Sequence, residues 1–299
     1  MTALKPPTSR ATFPFALALA AVLAFGAVPS ITAAPAGAQP AASAGAAEAP
    51  APIPREGRGE NEIVLIHGLG SSAAVWDEIK PYLLGTFTVW TYELHGHGRS
   101  QPMADPTIAR EAAALERFLR ENDIVHPVLV GHAMGGMIAM EYAFAHPADV
   151  RRLVVIDAAP VQLATAEQKA QVARALMEDY DRFVASRYLG YSPAPEVAER
   201  ILDDALRTHQ QSFVSLLMSS FDYDLADEIE SNPVPILVVG SEMLFSGGSD
   251  PRLLLHQMGY DRAQNIAFQA VDRTGHYIML ERPVALAGLI VAFSRTERY

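Results

Sequence analysis

The stretch Gly131-His132-Ala133-Met134-Gly135-Gly136 decides the fold of this 299-residue chain. Its first residue ends a short apolar run at residues 128–131, and it opens a segment rich in alanine and methionine with helical character. Small residues on both sides of position 133 allow a sharp turn between a strand and a helix. Such a turn raises the side chain of residue 133 above the edge of a sheet, at the positive end of the helix dipole.

Apolar runs of strand length alternate with helical patterns on both sides of this turn. Strands are predicted at residues 62–67, 87–92, 128–131, 153–156, 235–239 and 266–271, and helices at residues 72–84, 107–122, 134–146 and 283–293. Alternation of this kind is typical of a parallel sheet whose two faces are covered by helices. The sequence therefore predicts an α/β fold with a mostly parallel central sheet flanked by helices.

Residues 161–231, between the fourth and fifth predicted strands, contain helical patterns and no strong strand run. We interpret them as a helical lid inserted into one α/β domain at residues 60–299. The segment is rich in aromatic side chains, namely Tyr180, Phe183, Tyr188, Tyr191, Phe213, Phe221 and Tyr223. These rings are suited to forming an apolar roof over a substrate, although for any single ring ordinary packing within the lid is the simpler explanation.

The N-terminal segment is typical of a secretory signal peptide. Residues 1–12 carry Lys5 and Arg10 without an acid, and residues 15–28 form a 14-residue apolar run. A membrane-spanning helix needs about 20 apolar residues, so an uncleaved anchor is the less favoured alternative. Small residues at 36–38 fit a cleavage pattern, which predicts a signal peptide at residues 1–38 and an exported protein, periplasmic or secreted. Residues 39–59 are rich in alanine and proline and are predicted to be a disordered linker.

The charge of the chain excludes several classes of partner. With 34 acidic and 23 basic residues, the formal net charge is −11. The chain therefore offers no basic stripe to nucleic acid and no attraction to an anionic membrane surface. It has no cysteine, which excludes disulfides, thiol catalysis and cysteine-ligated metals. We expect a small-molecule partner, no nucleic acid and no stable membrane anchor.

Three glycine-containing segments carry the residues of a nucleophilic site. The turn at residues 131–136 has the G-x-S-x-G architecture of a nucleophile elbow, but Ala133 stands where serine is expected. The glycine-rich segment after the first strand is suited to binding an oxyanion, and we expect the N–H groups of Leu69 and Met134 to converge above the elbow. His276 follows the last strand and is predicted to be the general base and acid.

With these segments the chain resembles the α/β-hydrolase superfamily, in particular its lid-containing serine esterase and lipase-like branch. The resemblance rests on HGLGSS at residues 67–72, ELHGHGRS at 93–100, GHAMGG at 131–136 and GHYIMLERP at 275–283. It implies hydrolysis of esters, amides, epoxides, halides or carbon–carbon bonds, among which the fold alone does not choose. We predict a small carboxylic ester or related acyl substrate, hydrolysed by a nucleophile–histidine–acid triad. His95 and His97 lie two residues apart with no third ligand, so we interpret them as loop residues beside the pocket and expect neither a metal nor a cofactor.

The acid of the triad has more than one candidate. The family often places an aspartate in a G-x-x-D arrangement after the strand that follows the lid, but here Met243 falls at that position. Asp157 ends the predicted strand after the elbow helix, where some esterases of the family carry the acid. Glu242 is one residue from the usual place, and Asp250 is further along the chain. We favour Asp157, with Glu242 as the alternative.

Alanine at position 133 cannot attack a carbonyl carbon, so the chain is expected to be inactive or nearly so as an ester hydrolase. Loss of a triad serine lowers kcat by about 10⁶-fold. Three hypotheses follow: an ester hydrolase whose serine has been replaced, a non-catalytic binder of a small apolar ligand, and an enzyme that uses His276 as a base without a nucleophile. We rank the first hypothesis highest because everything around position 133 suits a serine.

Overall fold

A computed structural model describes residues 55–161, 164–244 and 250–296. The strands are β1 (Asn61–Ile66), β2 (Phe87–Tyr92), β3 (Val128–His132), β4 (Arg152–Ile156), β5 (Ile236–Ser241) and β6 (Ile266–Val271). They form one sheet in the order β2-β1-β3-β4-β5-β6, and every neighbouring pair is parallel. Each strand lies within two residues of its predicted bounds. The predicted α/β fold with a parallel central sheet is confirmed.

Helices cover both faces of this sheet. They are α1 (Lys80–Leu83), α2 (Ile108–Glu121), α3 (Met134–Ala145), α4 (Ala166–Glu178), α5 (Tyr180–Tyr188), α6 (Pro195–Arg207), α7 (Gln210–Ser220), α8 (Glu228–Ser231), α9 (Pro251–Gln257), α10 (Ile278–Glu281) and α11 (Pro283–Arg295). Side chains of α2, α3 and α9 pack on one face of the sheet, and side chains of α1 and α11 pack on the other.

Burial on both faces explains why the strands are apolar at successive positions. In β1, Ile63 and Leu65 belong to one core cluster, whereas Val64 and Ile66 belong to the other. Successive side chains of a strand point to opposite faces of the sheet. A strand with a covered face on each side therefore needs an apolar residue at every position, which is the pattern that predicts these strands.

The helix predicted at residues 72–84 is wrong in its extent. The structure divides this segment into a 3₁₀ turn at Ala73–Trp76 and the short helix α1. Pro81 lies in the first turn of α1. Proline lacks a backbone N–H and its ring clashes with the preceding turn, so it is tolerated where a helix begins but not where one continues.

The described chain between β4 and β5 is helical and contains α4 to α8. We call residues 164–231 the helical insertion. Thr165 and Gln168 form a capping box at the start of α4, because each side chain accepts a hydrogen bond from the backbone N–H of the other. Tyr188 of α5 and Phe213 of α7 are buried and belong to the same core cluster as β1 residues Ile63 and Leu65. The insertion is thus packed against the α/β core.

The described chain begins to fold before residue 60, although residues 39–59 are predicted to be a linker. Glu56 pairs with Val89 of β2 in an antiparallel bridge, with N···O distances of 3.0 and 2.7 Å. Gly57 has a φ of +85°, and a Cβ on Gly59 would collide with the backbone of Thr86 and Phe87. These two glycines let the segment approach β2 closely, which the composition of the linker does not reveal.

The predicted signal peptide and the linker up to residue 54 lie outside the described residues. Among the helices that the structure describes, none combines the length and the apolar character that a membrane span requires.

Candidate active site

Ala133 occupies a strained turn between β3 and α3. Its φ is 48° and its ψ is −117°, a conformation that side chains with a Cβ rarely adopt. The neighbouring glycines make the turn possible because a Cβ on Gly131 would collide with the backbone of Gly135, and one on Gly135 would collide with the carbonyl oxygens of Ile66 and His67. The first turn of α3 therefore lies directly against β1 and β3, with residue 133 at its N-terminus.

His276 and Asp157 form a hydrogen-bonded pair beside Ala133. The distance from His276 Nδ1 to Asp157 Oδ2 is 3.0 Å, and the other oxygen, Oδ1, accepts the backbone N–H of Ser241 at 2.7 Å. The Asp157 side chain is fully buried and the His276 side chain is 15% exposed. Because a carboxylate accepts the Nδ1 hydrogen, Nε2 of His276 is left as the basic nitrogen of a ring that lines the cavity described below.

The other acid candidates lie elsewhere. The Glu242 carboxylate accepts the backbone N–H of Arg273, and the Asp250 carboxylate caps α9 by accepting the N–H of Arg252. Met243, at the position where the family often has an aspartate, donates its N–H to the carbonyl of Thr274. The structure thus brings Asp157 to His276 and leaves Glu242, the alternative acid, in contact with the turn after β6.

The two predicted oxyanion donors lie at the ends of adjacent strands. Met134 is the first residue of α3, so its N–H has no acceptor within the helix. Leu69 lies in the turn after β1, and its carbonyl accepts the Tyr188 hydroxyl at 2.6 Å. Within the described residues, neither the Leu69 N–H nor the Met134 N–H has a backbone acceptor. Both are available to a ligand, as an oxyanion site requires.

A small cavity of about 60 Å³ lies between Leu69, Ala133 and His276. Its lining consists of Gly68, Leu69, His132, Ala133, Arg187, Tyr188, Tyr191, Phe213, Leu217, His276 and Tyr277. Pockets for drug-sized ligands occupy about 300–1,000 Å³. The cavity as described is therefore much smaller than such pockets, and the helical insertion supplies much of its aromatic wall.

Two other histidines near the turn have structural roles. His132 Nε2 donates to the carbonyl of His276 at 2.9 Å, and His67 Nε2 accepts the N–H of Leu94 at 3.1 Å. Burial lowers the pKa of both rings, and for His132 the neighbouring His276 lowers it further. Both therefore remain neutral at pH 7, and His132 supports the loop that carries His276.

His95 and His97, interpreted above as loop residues beside the pocket, are buried and do not line the cavity. His95 Nδ1 lies 3.1 Å from a carboxylate oxygen of Glu111. His97 Nδ1 donates to the His95 carbonyl at 3.1 Å. Burial lowers the pKa of His97 to about 3, so its ring is neutral in the folded protein.

The contacts that join the helical insertion to the histidine loop are not among the predicted site features. The carbonyl of Tyr191 accepts the N–H of His276 at 2.7 Å. The Glu281 carboxylate accepts the Ser192 hydroxyl at 2.6 Å and the Gly275 N–H at 2.7 Å. Glu281 lies within the motif quoted at residues 275–283, but nothing in the sequence tells which partner it takes. Its position shows that the insertion and the histidine loop are held together on both sides of His276.

Comparison with known proteins gives relatives of two kinds. A pimeloyl-[acyl-carrier protein] methyl ester esterase of Yersinia enterocolitica is 26% identical over 256 residues, covering 80% of this chain and 95% of the esterase. An uncharacterized protein of Mycobacterium tuberculosis is 38% identical over 100 residues, which are 33% of this chain and 29% of that protein. The chain thus spans less than a third of the mycobacterial protein's length.

The fold also matches solved structures. A thermophilic esterase from Thermogutta terrifontis superposes with a TM-score of 0.71 at 20% identity, covering 82% of this chain and 92% of the esterase. At that identity the likeness shows the fold alone. Residues 63–289 match the sequence profile of the Alpha/beta hydrolase family, which covers about three quarters of the chain, and the chain belongs to that family.

Proposed function

We propose that this chain has the site of a carboxylic-ester hydrolase in which Ala133 occupies the nucleophile position, so that the unaltered chain turns esters over slowly or not at all. The observation that carries the proposal is the His276–Asp157 pair at 3.0 Å, with His276 and Ala133 lining one cavity. The relative from Yersinia enterocolitica, whose name specifies a methyl ester, supports the ester class.

The arrangement supports acyl transfer once residue 133 carries a hydroxyl. His276 Nε2 would accept the hydroxyl proton as the oxygen attacks the ester carbonyl, and the N–H groups of Leu69 and Met134 would stabilise the negative oxygen that forms. The alcohol leaves with a proton from His276. Water, deprotonated by the same ring, then hydrolyses the acyl-enzyme and regenerates the hydroxyl.

The test is a paired assay of the unaltered protein and Ala133→Ser on short aryl esters such as p-nitrophenyl acetate. We expect the serine form to be at least about 10³-fold faster, because loss of a triad serine costs up to about 10⁶ in kcat. Adding His276→Ala to Ala133→Ser should remove the gain. A serine form that is no faster than the unaltered protein would contradict the proposal.

Two further functions use the same site. The cavity of about 60 Å³ has room for water, which His276 could activate directly. Turnover by the unaltered chain that His276→Ala abolishes would favour this reaction. Saturable binding of a small apolar ligand without turnover would instead favour a non-catalytic binder.

A further inference from the structure

Arg187 lies near the end of α5 and lines the cavity that contains Ala133 and His276. It is the one arginine or lysine in that lining, and the lining contains no aspartate or glutamate. The remaining wall is aromatic, aliphatic, glycine, alanine or histidine. The lining therefore contains one permanently charged side chain among residues that are mostly uncharged.

The guanidinium of Arg187 is held in place by stacking. Its Cζ lies 5.1 Å from the centre of the Phe183 ring, one helical turn earlier. The described residues provide no carboxylate within ion-pair distance of it. Stacking uses the face of a guanidinium and leaves the N–H groups at its edge free to donate to a planar anion.

The lack of an ion pair at the half-buried Arg187 contrasts with other arginines of this acidic protein. Arg200, Arg207 and Arg262 each form an ion pair with a carboxylate of the described chain. Arg182, on the same helix as Arg187, has no ion pair but is exposed. Among the residues that the structure describes, Arg187 lines the cavity, is partly buried and has no ion pair. A partly desolvated cation of this kind favours an anionic ligand.

We propose that the acyl group accepted by this site ends in a carboxylate that binds Arg187, while the ester carbonyl lies at the N–H groups of Leu69 and Met134. This inference rests on the proposed ester-hydrolase function and specifies its substrate class as half-esters of short dicarboxylic acids. In the reaction, water adds the elements of H and OH across the ester bond, so the half-ester yields the free dicarboxylate and an alcohol. The small cavity selects a short chain between the two carbonyl groups.

The first test uses Ala133→Ser and two aryl esters of equal chain length. The kcat/KM of p-nitrophenyl hemiglutarate is divided by that of p-nitrophenyl pentanoate, which lacks the carboxylate. We expect Arg187→Gln to lower this ratio about 10–100-fold, the usual effect of losing a charge-assisted hydrogen-bonded pair, and Arg187→Lys to lower it less. Arg182→Gln makes the same charge change on the same helix and should leave the ratio as it is. A ratio that Arg187→Gln does not change would overturn the inference.

The second test does not depend on turnover and therefore separates this inference from the proposed function. Glutarate is titrated calorimetrically into the unaltered protein and into Arg187→Gln. We expect the unaltered protein to bind glutarate and Arg187→Gln to bind it about tenfold or more weakly. If Ala133→Ser hydrolyses no ester but this difference is found, the ester function fails and the anion site stands. No binding, or equal binding by both proteins, would overturn the anion site.

Discussion

The backbone at Ala133 is strained because it holds a Cβ at a φ of 48° and a ψ of −117°. Such conformations cost about 1–3 kcal/mol for a residue other than glycine, whereas glycine loses about 0.5–1 kcal/mol more conformational entropy than alanine on folding. We therefore expect Ala133→Gly to raise the free energy of unfolding by about 1 kcal/mol. Denaturant unfolding of the two proteins at pH 7 measures this difference.

The matched control is an alanine in a relaxed conformation. Ala113 is exposed in the interior of α2, where glycine costs about 1 kcal/mol relative to alanine. Ala113→Gly should therefore lower the free energy of unfolding while Ala133→Gly raises it. Similar losses in both variants would show that the turn at position 133 stores no strain.

At the scale of single residues, what the sequence predicts depends on whether a local pattern surrounds the residue. Ala133 and His276 lie next to glycines in recognisable segments, so their positions in the site could be predicted. The choice between Asp157 and Glu242 stayed open because it depends on which carboxylate the folded backbone turns towards His276. Asp157 has a positive φ of 48°, and one of its carboxylate oxygens contacts His276 while the other accepts the N–H of Ser241. Arg187 has no surrounding pattern and could not be predicted.

At the scale of elements, the end of α5 and the residues that follow it connect two loops of the site. The Tyr188 hydroxyl donates a hydrogen bond to the carbonyl of Leu69 in the loop after β1. In the loop that carries His276, the N–H of His276 donates to the carbonyl of Tyr191, and the Ser192 hydroxyl donates to the Glu281 carboxylate. A movement of this part of the helical insertion would disturb both His276, the proposed base, and Leu69, a proposed oxyanion donor. The described contacts make this end of α5 a part of the site and not a separate cover.

Replacing Glu281 by glutamine tests that connection. The Glu281 carboxylate accepts from both the Ser192 hydroxyl and the Gly275 N–H. The amide of glutamine has one acceptor oxygen, so one of these two donors would meet an NH₂ group in place of an acceptor. Because a buried donor left unsatisfied costs about 1–3 kcal/mol, we expect Glu281→Gln to lower the free energy of unfolding by that amount. Urea unfolding gives the value, and Glu199→Gln on the exposed side of α6 is the control, with a change within about 0.5 kcal/mol. Equal effects of the two variants would mean that Glu281 contributes no specific contact.

The strands were more predictable than the short helical segments. A strand covered on both faces is a nearly continuous apolar run, and such a run can be recognised in the sequence without knowing which strands lie beside it. The segment at residues 72–84 has helical spacing, but Pro81 interrupts its hydrogen bonds and divides it. Gly57 and Gly59 are residues typical of a linker, so the sequence does not distinguish them from one. The structure shows that they allow this segment to lie close to the backbone at the start of β2.

At the scale of the whole molecule, buried neutral histidines make stability depend on pH. The pKa of His97 falls from an ordinary value near 6.5 to about 3 in the folded protein, because burial disfavours its charged form. Between these values the unfolded chain binds more protons than the folded one, so stability is lost as pH falls. His97 should therefore lower the free energy of unfolding by about 1.4 kcal/mol per pH unit between pH 6.5 and about 3.

The measurement is the slope of the unfolding free energy against pH between pH 6.5 and 4. We expect His97→Asn to reduce that slope, whatever its effect on stability at pH 7. His126 is exposed and has a positive φ of 48°, which asparagine tolerates, so His126→Asn is the control for loss of a histidine. If both variants change the slope alike, burial of His97 is not the source of the acid sensitivity.

The segment at residues 55–59 also determines how the sheet ends. A strand at the edge of a sheet presents unpaired N–H and C=O groups to which a strand from another molecule can add. Glu56 occupies both backbone groups of Val89 on the outer side of β2, and the Thr88 hydroxyl holds the carbonyl of Gly59 at 2.9 Å. A second copy of the chain can extend the sheet at β2 only by displacing this segment, so a few residues of polar and glycine-rich chain protect this edge against self-association.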